Sequence, residues 1–565
     1  MKLRFFLITL YTLITAGVFN SSYGKSANFN YNAKNISSYF SALISFHDHD
    51  YLKSQEFFKM VMKSEKDNPI YSTKYIRSLI NLQRYDEVIR YSKSLENKKI
   101  SNFESELILG LHELKKDNSS KAKIYFNQLN RSMEHMMVFN VLKASLKNWA
   151  SMQESKEEVG ISSIENMPDR FDNFKKIQKA LAHCFFDTPE TKKMFKEISE
   201  DKKNNFSRYY FFFANYLSNK NEQLKAEEII NYASNNHPKN LLINQFRKTL
   251  VENEKNHNKF DCKKKKHVVA EIFYVIANVL STQGNYELSN FYINLSKYLN
   301  PNFSSYDSLM AENFFILKKY ERSKKIYKKL SNTGTVYKWY ADRKIAFILD
   351  DQKKEKEAIG FLTESYKSIE PSVYQTFDLA NFLKDREKYE KSIELYSSIL
   401  SKINKDHQLY PKVLDRRGTA YERINEWNLS EKDLLMSLEI SPEQPYVMNY
   451  LAYSWLENGK NFNKALEMLR EANELRKDDG YITDSLGWAL YKLNRFVEAK
   501  EYLKMAIILM PSDPIVNDHF ADCLWKNNEK IQARYYWNYV LKLETTEEKL
   551  KKTIENKLIF GLEKT

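Results

Sequence analysis

The 565-residue sequence predicts an all-α solenoid of antiparallel helix pairs, and three observations carry that prediction. A small residue recurs about every 34 positions through the C-terminal half. A second small residue follows each of these about twelve positions later. Glycine and proline number only 12 and 11, about 2% each against averages of roughly 7% and 5%. That scarcity suits helices joined by short turns and argues against sheets.

The first small residues are Ala277, Ala311, Ala346, Ala380, Gly418, Ala452, Gly487 and Ala521. The second are Ser289, Ser323, Ala358, Ser392, Ser430, Ala465, Ala499 and Ala533. A fixed period in this range marks a repeat array. Two helices of about a dozen residues with short turns fill one period. Where the two helices cross, a small side chain on each lets the backbones approach. In the pair at 480–513, Gly487 is followed by Leu490 on the same helix face, Phe496 opens the second helix, and Ala499, Leu503 and Ala506 share its inner side. Pro511 ends the pair. The first half keeps the same time with Ala42, Ile76, Gly110, Ala144, Ala180 and Ala214, but second members are found only at Ser54, Val88, Ala122 and Ala226. The pairs near 144 and 180 read as altered, and the stretch from Ala214 to Ala277 as one unrecognisable pair or a loop.

Aromatic, small, aromatic, then Ala, bulky apolar, Ala and Pro, as they stand at 480–513, resemble the tetratricopeptide repeat family, and the likeness runs over roughly 270–545. The resemblance implies a right-handed superhelical solenoid whose first helices line a concave, partner-binding groove. Three before, one after and four after the small residue share one side of a helix. In the last three pairs those positions are Asn449, Tyr453 and Leu456; Asp484, Trp488 and Tyr491; Asp518, Asp522 and Trp525. Carboxylates there would meet a partner's backbone or basic groups, and the rings would supply rigid contact area. The same side chains also suit packing between one pair and the next. The runs Asn449–Ser454, Asp478–Ala489 and Asp513–His519 further resemble a bacterial envelope subfamily. It includes lipoprotein adaptors of carboxyl-terminal processing proteases, which implies an envelope protease and its substrates as partners. This chain lacks the lipid-attachment cysteine of those adaptors.

Lys2 and Arg4, the apolar stretch from Phe5 to Phe19 and the small-residue exit at Ser22 and Gly24 read as a secretory signal peptide. Export to a periplasm follows; the alternative is an uncleaved inner-membrane anchor. The organisation is then 1–24 signal peptide, 25–260 degenerate repeats, 261–545 regular array and 546–565 a capping helix. In that last helix Leu550, Ile554, Leu558 and Leu562 form one apolar stripe, and Thr545 with Glu548 is expected to cap it.

Formal net charge is +15, or +13 once Lys2 and Arg4 leave with residues 1–24. It leaves open a second function, a basic surface binding anionic wall polymer or lipid, with peripheral membrane association; codon bias toward Lys, Asn, Ile, Tyr and Phe is the plainer explanation. Export makes nucleic acid an unexpected partner. Cys184, Cys262 and Cys523 show no disulfide or metal spacing, and Cys184 and Cys523 read as core residues. His47-Asp48-His49-Asp50 reads as a solvated turn, and Lys263 to Lys266 between His257 and His267 as an exposed linker. No metal-binding helix, phosphate loop or nucleophile elbow is present, so no cofactor, metal or catalytic residue is expected and the chain reads as non-enzymatic. The N-terminal half is free, on this reading, to bind a second partner or to self-associate.

Overall fold

A computed structural model describes residues 33–65, 68–129, 137–152 and 157–562. The signal peptide read at residues 1–24 lies outside them. Among the described residues, helices are joined by short turns, with one isolated antiparallel bridge between Asn258 and Phe303. No described helix is long and apolar enough to cross a membrane. The chain divides into two compact units, Met1–Ile348 and Leu349–Thr565. This division falls inside helix Thr335–Asp351, away from the change in repeat regularity near 260.

The first and second helices of each pair, A and B below, form where the period places them. For the pair centred on Gly487 they are Gly480–Lys492 and Phe496–Leu509. A Cβ on Gly487 would lie 2.6 Å from Leu503 Cγ and 3.1 Å from the Leu503 backbone nitrogen, so the crossing admits no larger residue. Where the second small residue is serine, its hydroxyl can reward the crossing. Ser54, Ser289 and Ser323 donate to the carbonyls of Ala42, Ala277 and Ala311 at 3.0, 2.7 and 2.9 Å.

Among the described residues, every A–B turn but one bends at the same place. Seven positions after the first small residue, from His49 to Asn528, the backbone enters the left-handed region; Ser151, seven after Ala144, is the exception. Most of these residues are Asn, Asp, Lys, Gln, Glu or His rather than Gly, which is how the chain turns so often with so little glycine. The altered pairs near 144 and 180 are real pairs with short B helices, Glu157–Glu165 and Thr191–Ser199. Between Ala214 and Ala277 the chain forms helix Leu241–Val251 and then an irregular segment.

The structure corrects three sequence expectations. Cys184 and Cys262 form a disulfide across 78 residues, with Cα atoms 5.9 Å apart; the fold supplies a proximity that linear spacing hides. Cys523 is free and buried. The lysine block is an exposed linker only in its first half: Lys263 and Lys264 are exposed, but Lys265 opens helix Lys265–Thr282, is buried and hydrogen-bonds Ser119. The His47–Asp50 turn is exposed at His47 and Asp48, and the carbonyl of half-buried His49 accepts from Arg322 at 2.6 Å. Thr545 does not cap the last helix, which begins at Glu548 after Glu547 with no side-chain cap. Its apolar stripe does pack, with Ile554 fully buried and Leu550, Leu558 and Leu562 against the same core.

Candidate partner-binding face

In the second unit the A helices Pro445–Glu457, Gly480–Lys492 and Pro514–Lys526 pack in succession. The predicted face turns inward along most of each helix. Asp484 is only 5% exposed and accepts from His519 Nδ1 at 2.9 Å. The His519 ring stacks on Trp488 with centroids 3.9 Å apart, and Trp488 stacks on Tyr491 at 4.7 Å. Trp488 donates from Nε1 to Glu457 at 2.9 Å.

Asp518 and Asp522, also buried, are bridged by Lys557 of the last helix. Its ammonium reaches both oxygens of each at 2.7 to 2.9 Å. Trp537 donates to Asp522 as well, at 3.1 Å. Trp525 lies over Trp537 and beside Gly561, where a Cβ would meet its ring. Burial drives the Asp522 carboxyl up, Asp518 adds to this, and Lys557 only partly offsets them, leaving it near 6. Burial pulls the His519 imidazole down, but Asp484, Asp518 and Asp522 together outweigh that and raise it. Asn449 and Tyr453 are half-buried, and burial pushes the Tyr453 phenol up. The three carboxylates and Trp488 thus have partners inside the chain, and Asp484 Oδ1 and Asn449 Oδ1 are shut away from solvent without one.

What stays open lies two turns earlier on the same helix side. Tyr446, Tyr481 and Ile515 are 58%, 60% and 45% exposed. Each sits six residues before its small residue, seven before Tyr453, Trp488 and Asp522, which returns to the same helix face. The Tyr446 hydroxyl donates to Asp479, the residue capping the next A helix, at 3.0 Å.

In the first unit much of the corresponding face is covered by the chain itself. Helix Tyr286–Leu299, buried along almost its whole length, packs on A helix Pro69–Asn81. Lys74 and Arg77 reach Glu287 at 3.4 Å, Gln83 donates to Asn294 at 3.1 Å, and the Tyr85 hydroxyl donates to the Asn294 carbonyl at 2.7 Å. In four pairs of this unit the position that matches Tyr446 and Tyr481 holds a polar residue with an internal partner. Glu104 accepts from Arg77 at 2.7 Å, and Arg208 holds Glu271 at 2.7 and 3.0 Å and Ser305 at 3.0 Å. These pairs therefore use the face to hold their own chain.

Over 121 residues the sequence is 27% identical to the TPR repeat-containing protein PA4667 of Pseudomonas aeruginosa, a match spanning 21% of this chain and 20% of that protein. The helix pairs match the tetratricopeptide repeat in period and in the crossing at small residues. No family model matches the chain. Among solved structures it is similar to TTC0263, a thermophilic TPR protein of Thermus thermophilus, at 15% identity over 33% of this chain and 100% of that one, with a TM-score of 0.29. It is also similar to YrrB, described as a TPR protein with an unusual peptide-binding site, at 13% identity over 34% and 97%, with a TM-score of 0.28.

Sequence reasoning about these helix pairs missed His519, Lys557 and the exposed trio. The signal for each was the repeat itself. His519 lies one period after Asp484, and Lys557 one period after Asp522. The exposed trio extends the predicted face by two helical turns.

Proposed function

We propose that this chain is an exported, non-enzymatic adaptor or scaffold that captures protein partners of the cell envelope on the A-helix face of its second unit. The observation that carries the reading is the exposed row Tyr446, Tyr481 and Ile515, one apolar side chain on each of three successive repeats. Asn449, Tyr453, Asp484, Trp488, Tyr491, Asp518, Asp522 and Trp525 continue the same face further along these helices, where His519 holds Asp484 and Trp488 and Lys557 holds Asp518 and Asp522. Rigid aromatic contact area on a preorganised support is the usual source of binding energy at protein interfaces.

Two further points support the setting. Disulfides persist in oxidising compartments, and the Cys184–Cys262 bridge agrees with export through the segment 1–24. The likeness of 440–545 to envelope adaptors favours a carboxyl-terminal processing protease and its substrates as the partners. Crosslinked capture from envelope extracts tests the reading. The wild type is expected to hold one or a few proteins that the variant Tyr446→Ser/Tyr481→Ser/Ile515→Ser loses at equal helicity. Equal capture by both chains overturns it. Retention that instead collapses with added salt assigns function to the basic surface.

A further inference from the structure

We infer that Glu157, His183 and Glu190 bind one divalent transition-metal cation of the zinc type, which fastens together the two altered helix pairs of the first unit.

Three segments converge at this point. A ring nitrogen of His183 and one carboxylate oxygen each of Glu157 and Glu190 lie within 4.8 Å of one another. Glu157 opens the short helix Glu157–Glu165, His183 stands in the last turn of helix Asp172–Phe186, and Glu190 immediately precedes helix Thr191–Ser199.

The charge there is unbalanced. Lysine and arginine outnumber the acids in this chain, 88 to 73, and neighbouring carboxylates have taken partners. Glu165 pairs with Lys179 at 2.8 Å, Asp169 with Lys175 at 3.2 Å and Asp172 with Lys176 at 3.2 Å. Among the described residues, Glu157 and Glu190 pair with no lysine or arginine. Glu190 does not spend its side chain on capping the helix it precedes. Two exposed carboxylates thus face an imidazole and each other without a counter-charge, and like charges at that distance repel. A cation removes the repulsion.

The geometry around His183 suits a ligand. Its Nδ1 is engaged by the Thr188 hydroxyl at 2.8 Å. That bond fixes the ring and leaves Nε2 for a metal, the common arrangement of a metal-ligating histidine. The turn that carries Glu190 is tied to the same residue. The Thr188 N–H and the Thr191 hydroxyl both donate to the His183 carbonyl, at 3.1 and 2.8 Å. Cys184, next in sequence, is bonded to Cys262 and offers no thiolate. One imidazole nitrogen and two carboxylate oxygens suit zinc and its neighbours, with water completing the shell; calcium and magnesium prefer oxygen alone. Bonds of about 2.1 Å put the ligand atoms of a tetrahedral zinc about 3.4 Å apart. The two exposed glutamates reach that spacing by side-chain rotation of about 1 Å.

The position gives the cation a role. Regular pairs seat the second helix on a small residue, and the pairs around Ala144 and Ala180 carry Lys156 and Lys192 at that place. An ion shared by Glu157, His183 and Glu190 holds both short second helices to one first helix, which the missing crossings do not.

The test is isothermal titration of the full chain with zinc chloride and with calcium chloride in chelator-free buffer, joined to hydrogen exchange with and without zinc. One zinc per chain is expected to bind at least about tenfold tighter than calcium and to slow exchange over residues 157–199. Glu157→Gln/Glu190→Gln, both at exposed positions, and His183→Gln, which keeps a polar group beside Thr188, should each weaken zinc at least about tenfold and abolish the slowing, with helicity unchanged. No zinc binding, equal affinity for calcium, or zinc binding that either variant retains overturns the inference.

Discussion

The two units build the same helix pairs and use one helix face in opposite ways. In four pairs of the first, the position six residues before the small residue carries Glu104, Arg208, Glu271 and Ser305, and all but half-buried Arg208 are buried. In the last three pairs of the second, Tyr446, Tyr481 and Ile515 stand at that position and face solvent. Charged groups there are held against fixed partners, because an unpaired buried charge is costly; they commit the face to an internal match. Apolar rungs need no fixed partner and leave the face available. Ile36 and Ile70, at the same position in the two outermost N-terminal pairs, are exposed in the same way. The comparison teaches that this register position decides whether the start of an A helix is tied inside or open, while the rest of the face is set separately: on helix Pro69–Asn81, Ile70 is exposed although Lys74 and Arg77 are held by Glu287.

The largest expected effect breaks the buried charge cluster of the open unit. Lys557→Met leaves Asp518 and Asp522 buried without their cation, and should cost about 3–5 kcal/mol. Hydrogen exchange should show it as lost protection over residues 514–560, with the first unit unaffected.

Next is the closed unit. Reducing the Cys184–Cys262 bridge, or Cys184→Ala/Cys262→Ala, should cost about 2–4 kcal/mol. Denaturation followed by exchange should confine that loss to residues 33–348.

Gly487→Ala drives a methyl group into Leu503 and should cost about 1–3 kcal/mol, read as a lower urea midpoint for the second unit.

The pH response should also separate the units. His519 titrates above its ordinary value in the folded chain, and Asp522 near 6. Both bind protons more tightly folded than unfolded, so stability from them is present at low pH and lost as pH rises. Asp522 loses its share between the ordinary aspartate range and about 6, His519 its share above the ordinary histidine range. Thermal melting of the second unit should fall from about pH 4 to 9, and His519→Gln should flatten the part above about pH 6.5.

The smallest effect is at a turn. Glu387 holds a positive φ of 59°, and Glu387→Gly should stabilise by up to about 1 kcal/mol, seen as a slightly higher melting temperature.

Much of this fold is legible in the sequence, since one spacing of small residues locates helix pairs even where the rest of the motif has decayed, as at Ala144 and Ala180. The period also held His519 and Lys557, but a column of acids reads as a binding surface until its counter-charges are found a full repeat away. Self-coverage of the N-terminal face was not legible, because Glu287 meets Arg77 across 210 residues, a distance that no local pattern spans. The disulfide was hidden for the same reason. The exposed row was within reach of the helical periodicity, two turns before the residues chosen.

The most direct measurement is paired photo-crosslinking of the full chain in envelope extracts, with p-benzoylphenylalanine replacing Lys74 in one sample and Tyr481 in the other. The closed-and-open account predicts an internal crosslink from position 74 to helix Tyr286–Leu299 and an intermolecular adduct from position 481. An intermolecular adduct at 74, or none at 481, would contradict it.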